Sequence, residues 1–173
     1  MKHIAVYPGS FDPATLGHLG ILKRATKLFD EVHVLVVHNP SKKPLFSSAE
    51  RLNMIKQSVR ELGIEMSPLR FSTLESGLLA EYADVHGAHA LIKGFRTVAD
   101  IEYELPMSQV NNDLSGVETI FMASEPGLGY VSSSLVKEVS SLGGDISKYV
   151  TEAVASQISE KLNAKNKITK KPS

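Results

Sequence analysis

The segment from Val32 to Val37 constrains the fold most, because it is almost wholly β-branched and apolar, as a strand buried on both faces of a sheet requires. Further strands are predicted at 3–7, 89–92 and 117–123, with a weaker one at 64–71 that Pro68 interrupts. Helical patterns fall between and after them, at 17–29, 48–62, 77–85, 98–114, 132–141 and 151–162, and Pro106 is expected to kink or interrupt the fourth. Strands that alternate with helices need crossover connections. The pattern therefore predicts an α/β fold, a Rossmann-like parallel sheet with helices on both faces.

Length and composition bound the class of protein. We expect one domain over residues 1–163, followed by a lysine-rich tail at 164–173 that buries too little to be ordered. Lysine and arginine number 19, as do aspartate and glutamate, so no net charge attracts nucleic acid or a membrane surface. The absence of cysteine excludes disulfides and thiolate metal sites. No segment has the pattern of a signal peptide or a membrane span, and we therefore expect a cytoplasmic protein.

The loop after the first predicted strand runs from Pro8 to His18. Loops of this kind are informative because ligands of open parallel sheets bind beyond the carboxyl ends of the strands. Gly9 lets the backbone approach a ligand closely, and Ser10 adds a hydroxyl donor. Gly17 and His18 fall where a helix begins, so free amides, the helix dipole and an imidazole could hold a phosphate there. A capping or solvated role for His18 explains the same residues equally well.

Two further loops carry cations. Lys42 and Lys43 stand between two prolines after the second strand, where lysine could bridge phosphate oxygens, although paired loop lysines are more often simply solvated. Lys93 and Arg96 follow the strand at 89–92, and anion binding is their simplest use. Glu104 is expected about two turns into the next helix, where it could reach a ribose hydroxyl or help to hold the site. A surface salt bridge is the alternative for Glu102, and less so for Arg96.

The last of these loops opens a helix with Ser132, Ser133 and Ser134, which could cap the helix or donate to a phosphate. No Walker A sequence is present, and Gly127-Leu128-Gly129 lacks the third glycine of a dinucleotide fingerprint. Each loop is ambiguous alone. Four phosphate-competent loops at one edge of a sheet together predict a site for phosphorylated ligands.

Five motifs, which follow one another in the same order, resemble those of bacterial phosphopantetheine adenylyltransferases in the T/HxGH nucleotidyltransferase superfamily. They are Tyr-Pro-Gly-Ser-Phe-Asp-Pro…Thr-Leu-Gly-His at 7–18, Pro-Ser-Lys-Lys-Pro at 40–44, Ile-Lys-Gly-Phe-Arg at 92–96, Glu-Tyr-Glu at 102–104 and Ser-Ser-Ser-Leu-Val-Lys-Glu-Val at 132–139. The first motif marks the superfamily, and the later ones narrow the resemblance to this family. It extends from residue 3 to about residue 162.

The resemblance implies reversible transfer of the adenylyl group of ATP to 4′-phosphopantetheine, which gives dephospho-coenzyme A and pyrophosphate. The acceptor phosphate would attack the α-phosphorus directly, without a covalent enzyme intermediate. Magnesium, Mg2+, would be carried by the ATP phosphates and not by protein side chains. The family also implies a homohexamer and coenzyme A as a feedback inhibitor.

Carried over by position, the resemblance assigns catalysis to His18, Lys42 and Arg96. His18 would stabilise the charge that develops on the α-phosphate, and Lys42 would orient the two phosphates. The ATP-binding residues would be Ser10, Phe11, Gly17, His18, Gly94, Phe95, Arg96, Glu104, Leu128, Gly129, Tyr130, Val131, Ser132, Ser133 and Ser134. The phosphopantetheine-binding residues would be Ser10, Lys42, Leu79, Lys93, Asn111 and Glu138.

The chain departs from the family pattern at three places. Lys93 stands where many members have arginine, which keeps the charge but loses bidentate geometry. The segment 109–112, Gln-Val-Asn-Asn, replaces Met-Asn-Arg, and no tryptophan precedes Tyr130. Two alternatives remain open at this point. One is a related nucleotidyltransferase that adenylylates another phosphorylated acceptor, such as nicotinamide mononucleotide, and the other is a nucleotide-binding sensor without catalysis.

Overall fold

The structure, a computed structural model, describes residues 2–38 and 43–169, with the last five of these as backbone only. Its strands are β1 (Ile4–Gly9), β2 (Glu31–Val37), β3 (Leu69–Leu74), β4 (Ala90–Phe95) and β5 (Glu118–Ala123). They form a parallel sheet in the order β3-β2-β1-β4-β5. The predicted Rossmann-like α/β architecture is therefore confirmed.

Six helices connect and follow the strands in the described part of the chain. They are α1 (Leu16–Ala25), α2 (Ser48–Glu61), α3 (Leu79–Val85), α4 (Val98–Ser115), α5 (Ser133–Ser141) and α6 (Glu152–Thr169). The side chains of Ser47 and Thr97 accept hydrogen bonds from the third residues of α2 and α4, which fixes where both helices begin. None of the helices in the described ranges is both long and apolar enough to cross a membrane.

Several element boundaries differ from the prediction, and α1, for example, ends at Ala25 instead of residue 29. The strand predicted at 64–71 begins only at Leu69, because Pro68 has no N–H for the ladder, and the Pro68 carbonyl instead accepts from Val32 N at 2.8 Å. Residues 93–95, predicted as loop, belong to β4 and pair with 121–123 of β5. Pro106 does not interrupt α4, which is capped at Thr97 and packs on α3, β4 and β5.

The C-terminal helix also runs further than expected. Helix α6 continues to Thr169, so the backbone of residues 164–169 is helical where a disordered tail was expected. Alanine and lysine in this segment have good helix propensity, which lets the helix continue beyond its packed part. Residues 170–173, the rest of the predicted tail, lie outside the described residues.

The core explains why β2 is so apolar. Val32, Val34 and Val36 point to the face covered by α1 and α2, whereas Leu35 points to the opposite face, against Ala83 of α3. Both faces of the strand are thus covered, as the uninterrupted apolar pattern predicted. Burial of each such side chain contributes about 1.5–3 kcal/mol before the entropy of ordering is counted.

The sheet order places a crevice next to β1. Strands β2 and β3 lie on one side of β1, whereas β4 and β5 lie on the other, so the connections after β1 and β4 leave in opposite directions. Ligands of open α/β sheets bind at this switch point, beyond the carboxyl ends of the strands. The predicted phosphate-competent loops all belong to this edge.

Candidate active site

A cavity of about 770 Å³ opens at the carboxyl edge of the sheet. Residues from all four predicted loops line it, since Ser10 and His18 follow β1, Lys43 follows β2, Arg96 follows β4 and Ser132 precedes α5. The sequence predicted that these loops would meet, and the structure brings them together. The cavity is large enough for a nucleotide.

The cavity contains most of the predicted site residues. Lining residues are Ser10, Phe11, Gly17, His18, Lys93, Gly94, Arg96, Glu104, Leu128, Val131, Ser132, Ser133 and Ser134. Phe95, Gly129, Tyr130, Leu79, Asn111 and Glu138 are not among the lining residues, and a binding role for them stays a prediction. Lys42 lies outside the described residues, and its neighbour Lys43 lines the cavity.

His18 lies in the first turn of α1, where its ring is held from one side. The Thr15 backbone N–H donates to His18 Nδ1 at 3.0 Å, and Thr15 Oγ1 lies 2.9 Å from the same nitrogen. Because Nδ1 accepts a hydrogen bond, the neutral ring carries its proton on Nε2. Burial, followed by the positive charge of Arg96, lowers the pKa of His18 from 6.5 to about 4. At neutral pH the imidazole is therefore an uncharged Nε2–H donor.

Two aromatic rings support His18. The Phe11 ring meets His18 and Tyr7 edge-on, with centroids 5.3 Å apart in both pairs. Phe11 has a positive φ of 46°, and a Cβ at Gly9 would overlap the Phe11 ring, so glycine is required there. Tyr7 OH donates to the His18 carbonyl at 3.4 Å, and burial raises the Tyr7 pKa, which keeps that donor protonated. These contacts position the imidazole without touching its Nε2.

Arg96 is oriented by the helix that follows it. Asp100 accepts from Arg96 Nε at 3.2 Å, from Arg96 Nη2 at 3.0 Å and from the Arg96 backbone N–H at 2.8 Å. Burial alone would raise the Asp100 pKa, but the hydrogen bonds and charge of Arg96 bring that pKa below its ordinary value. Arg96 Nη1 also donates to the Val131 carbonyl at 3.3 Å, which joins the β4 edge to the loop before α5.

Lys93 and Glu104 form an ion pair of 2.9 Å inside the cavity. Both side chains are about a quarter exposed, at 21% and 28%. Glu104 thus lies within reach of the site, as expected. The ion pair belongs to the cavity wall and not to the outer surface. An ion pair there can exchange its carboxylate for a phosphate when a ligand arrives.

Asp12 is a site residue that the sequence reasoning missed. Its buried carboxylate accepts from Leu45 N at 2.9 Å, from Phe46 N at 3.0 Å and from Lys137 Nζ at 2.6 Å. One turn before Lys137, Ser133 Oγ donates to the Pro13 carbonyl at 2.8 Å. The loop after β1 is thereby tied to both the lysine-bearing loop and α5. Asp12 and Lys137 both fall inside motifs quoted above, which was the signal available in the sequence.

Arg51 of α2 was also missed. Its side chain is 2% exposed and donates to the Ser10 carbonyl at 2.6 Å, to the Val37 carbonyl at 3.3 Å and to Ser48 Oγ at 2.8 Å. The sequence offered only a weak signal, an arginine one turn before Ile55 on the apolar face of a helix. The contacts join α2 to the ends of both β1 and β2.

The cavity suits polyanionic ligands. Among the described residues, its lining contains five basic side chains, Lys43, Arg51, Lys93, Arg96 and Lys137, against three acidic ones, Asp12, Asp100 and Glu104. The amino-terminal ends of α1 and α5 also open on it, and each contributes free amides and a positive dipole end. A neutral N–H donor, fixed cations and helix ends are the groups that stabilise a phosphate as its charge increases.

Proteins of similar fold include known adenylyltransferases. A nicotinic acid mononucleotide adenylyltransferase of Plasmodium falciparum, solved with NaAD, superimposes with a TM-score of 0.69 at 18% identity over 96% of this chain and 97% of its own. A bifunctional NMN adenylyltransferase/ADP ribose pyrophosphatase of Francisella tularensis superimposes with a TM-score of 0.70 at 15% identity over 94% of this chain and 50% of its own. At such identities the likeness establishes the fold alone.

Sequence relatives narrow the family. Residues 6–139 match the cytidylyltransferase-like family model. A phosphopantetheine adenylyltransferase of Leifsonia xyli is 48% identical over 92% of this chain and 99% of its own length. Another, of Kocuria rhizophila, is 51% identical over 87% of this chain and 94% of its own. The chain therefore belongs to the cytidylyltransferase-like family and, within it, to the phosphopantetheine adenylyltransferases.

Proposed function

We propose that the protein is an enzyme that transfers the adenylyl group of ATP reversibly to 4′-phosphopantetheine, with dephospho-coenzyme A and pyrophosphate as products. The observation that carries the proposal is the neutral His18 Nε2–H donor at the start of α1, next to Arg96. A phosphate acceptor is already a nucleophile at neutral pH, so the reaction needs no general base. What it needs is alignment of two phosphates and stabilisation of the charge that develops on the α-phosphate.

The proposed catalytic roles follow from this need. His18 donates from Nε2 to an α-phosphate oxygen, and the donor strengthens its hydrogen bond as that oxygen gains charge. Arg96 neutralises the triphosphate from the β4 edge, held in place by Asp100. On the family pattern, Lys42 orients the two reacting phosphates. This role rests on the sequence alone, because Lys42 lies outside the described residues.

The two substrates are proposed to occupy different parts of the cavity. ATP binds along the β4 edge and the loop before α5, where Gly94, Leu128 and Ser132–Ser134 line the wall. A Cβ at Gly94 would overlap the Ile21 side chain, so this strand end packs directly against α1. The phosphate of phosphopantetheine binds beside Lys93. This lysine carries a single positive charge and forms an ion pair with Glu104.

Magnesium is proposed to enter with ATP, coordinated by the phosphates. In the described residues the cavity acids Asp12, Asp100 and Glu104 each contact a lysine or arginine. Carboxylates already paired in this way are poorly placed to bind a metal directly. The ion would neutralise phosphate charge, and the chain's own residues would orient the phosphates around it.

An assembly of six identical subunits is proposed from the family and from the surface of α4. Tyr103, Met107, Val110 and Leu114 lie on one face at helical spacing and are exposed by 81%, 56%, 47% and 56%. An apolar stripe of this size on a helix commonly packs against another subunit.

Coenzyme A is proposed as a feedback inhibitor that binds in the active-site cavity, because it contains the dephospho-coenzyme A product. The cytoplasm is the proposed location of the protein.

The decisive experiment measures pyrophosphate release from ATP and magnesium with three acceptors: 4′-phosphopantetheine, unphosphorylated pantetheine and nicotinamide mononucleotide. We expect the wild type to release pyrophosphate only with 4′-phosphopantetheine. With that acceptor, we expect the His18→Ala variant to release it at a rate on the order of one hundredth of the wild-type rate or less. Release with nicotinamide mononucleotide alone would retain the ATP site and replace the acceptor. Binding of ATP without release in any arm would make the protein a nucleotide sensor.

A further inference from the structure

Arg51 carries a buried charge that forms no ion pair with an acidic group among the residues that the structure describes. Its side chain is 2% exposed, and its three hydrogen-bond acceptors, two backbone carbonyls and the Ser48 hydroxyl, are all uncharged. Arg51 Nε is buried without a partner among the described residues. None of the ion pairs in residues 2–38 and 43–169 includes Arg51. A buried guanidinium without a counter-charge is destabilising on its own.

The other fixed cations of the cavity are paired. Lys93 contacts Glu104 at 2.9 Å, Arg96 contacts Asp100 at 3.0 Å and Lys137 contacts Asp12 at 2.6 Å. Lys43 is exposed, so water screens its charge. Arg51 is thus the cavity-lining cation, among those the structure describes, that combines burial with the absence of a carboxylate partner.

Arg51 lies directly behind a peptide group of the cavity wall. Its Nη1 holds the Ser10 carbonyl at 2.6 Å, and Ser10 and Phe11 both line the cavity. In the trans peptide that joins them, the Phe11 N–H points opposite to the Ser10 carbonyl. Arg51 therefore stands behind a peptide group whose N–H faces away from it, and the hydrogen bond to the carbonyl polarises that N–H.

We propose that Arg51 is an anion-binding residue of the cavity, whose charge is balanced by the phosphates of the bound ligand. It acts from the wall behind the Ser10–Phe11 peptide through the field of its charge. The identity of the anion, pyrophosphate or a phosphate ester, rests on the proposed function. A unit charge about 8 Å from a phosphate, at an effective dielectric constant of about 20, changes affinity by roughly thirtyfold.

The test measures binding of inorganic pyrophosphate to the full-length protein by titration calorimetry in metal-free buffer. Arg51→Met removes the charge and keeps the apolar stem, whereas Arg51→Lys keeps the charge. Arg60→Met is the matched control, because Arg60 is an exposed arginine of the same helix and its loss changes the net charge equally. We expect the dissociation constant to rise at least tenfold in Arg51→Met, to rise less than threefold in Arg51→Lys and to stay unchanged in Arg60→Met.

Several results would overturn the inference. Pyrophosphate affinity within twofold of wild type in Arg51→Met would leave Arg51 a purely structural residue. Equal losses in Arg51→Lys and Arg51→Met would assign the effect to hydrogen-bond geometry instead of charge. If Arg51→Met does not fold, Arg51→Gln, which is neutral but retains an amide donor for Ser10, takes its place with the same expected rise. Wild-type turnover with 4′-phosphopantetheine is measured separately, so failure of the proposed function is distinguishable from failure of this inference.

Discussion

The Thr15 backbone N–H and His18 Nδ1 form a hydrogen bond of 3.0 Å that determines which ring nitrogen of His18 can donate to a ligand. A nitrogen that accepts an N–H cannot itself carry a proton in the neutral ring, so the proton is on Nε2. The same contact caps α1, which places the imidazole at the positive end of the helix dipole. Local helix capping thus prepares the group that the reaction requires.

Replacement of His18 by alanine should lower kcat by a factor on the order of a hundred or more, with little change in the KM for ATP. The reason is that a donor to a developing charge stabilises the transition state more than the bound substrate. Initial rates of pyrophosphate release over a range of ATP concentrations provide the measurement. His3→Ala, which removes an exposed imidazole remote from the cavity, serves as control. A variant that changed only KM would contradict the proposed role.

The low pKa of His18 should make the native state lose stability as the solution is acidified. The folded protein holds this imidazole neutral down to a pKa of about 4, whereas the unfolded chain protonates it near 6.5. Between these values the unfolded state binds more protons, so the stability present above pH 6.5 decreases as pH falls toward 4, by ~3 kcal/mol in all.

Urea unfolding of wild type and His18→Gln at several pH values between 4 and 7 isolates this effect. The carboxylates titrate in both proteins, so the difference between the two curves reports His18. We expect the stability of wild type to fall more steeply than that of the variant as pH is lowered. Parallel curves would mean that the His18 pKa is not depressed in the native state.

The sheet was predictable from the sequence because its signals are local. The apolar sequence of β2 reflects the burial of this strand on both faces of the sheet. The pattern and the burial both belong to one short segment, so the pattern can be read without knowledge of the rest of the chain. Pro68 and Pro106 show where local signals fail. The first delays the start of β3, whereas the second is accommodated in a helix that is capped at Thr97 and packs on α3, β4 and β5.

Most of the predicted residues that line the cavity lie at strand ends, in the loops that follow them or at helix starts, whereas the missed residues are recognised only by contacts made in three dimensions. Arg51 escaped prediction because a charged residue on the apolar face of a helix shows its partners only in three dimensions. Asp12 escaped for a similar reason, since it contacts Lys137, which is 125 residues away in the chain. Pairing at such a distance leaves no periodic trace in one sequence.

Loss of Lys137 should destabilise the fold, because it leaves the buried carboxylate of Asp12 without its cation. Lys137→Met is expected to lower the free energy of unfolding by about 2 kcal/mol. Asp12→Asn combined with Lys137→Met should cost less than the sum of the single changes, since the two side chains act as a unit. Lys161→Met is the control: its ion pair with Glu50 has the same length of 2.6 Å but is more exposed, and its loss should cost below about 1 kcal/mol. Additive single effects in urea unfolding would contradict coupling.

The apolar stripe on α4 should determine the oligomeric state. Val110→Lys and Leu114→Lys each place a charge on side chains that are 47% and 56% exposed in the single subunit. If the stripe packs against another copy, these lysines would be buried unpaired at the interface, which is strongly unfavourable. We expect either variant to sediment as a smaller species than wild type, with an unchanged far-UV circular dichroism spectrum.

Leu142→Lys provides the control for this prediction. Leu142 follows α5 and is 81% exposed, so the same change of charge is made on an apolar side chain away from α4. Sedimentation velocity of all three variants at equal concentration is the measurement. Wild type that sediments as a monomer would contradict assembly through the stripe, and α4 variants that keep the wild-type assembly would place the subunit interface elsewhere. Dissociation by the α4 variants alone would identify the stripe as the surface that assembles the protein, because an unpaired lysine is tolerated on a free surface, where water solvates it, and not in an interface core.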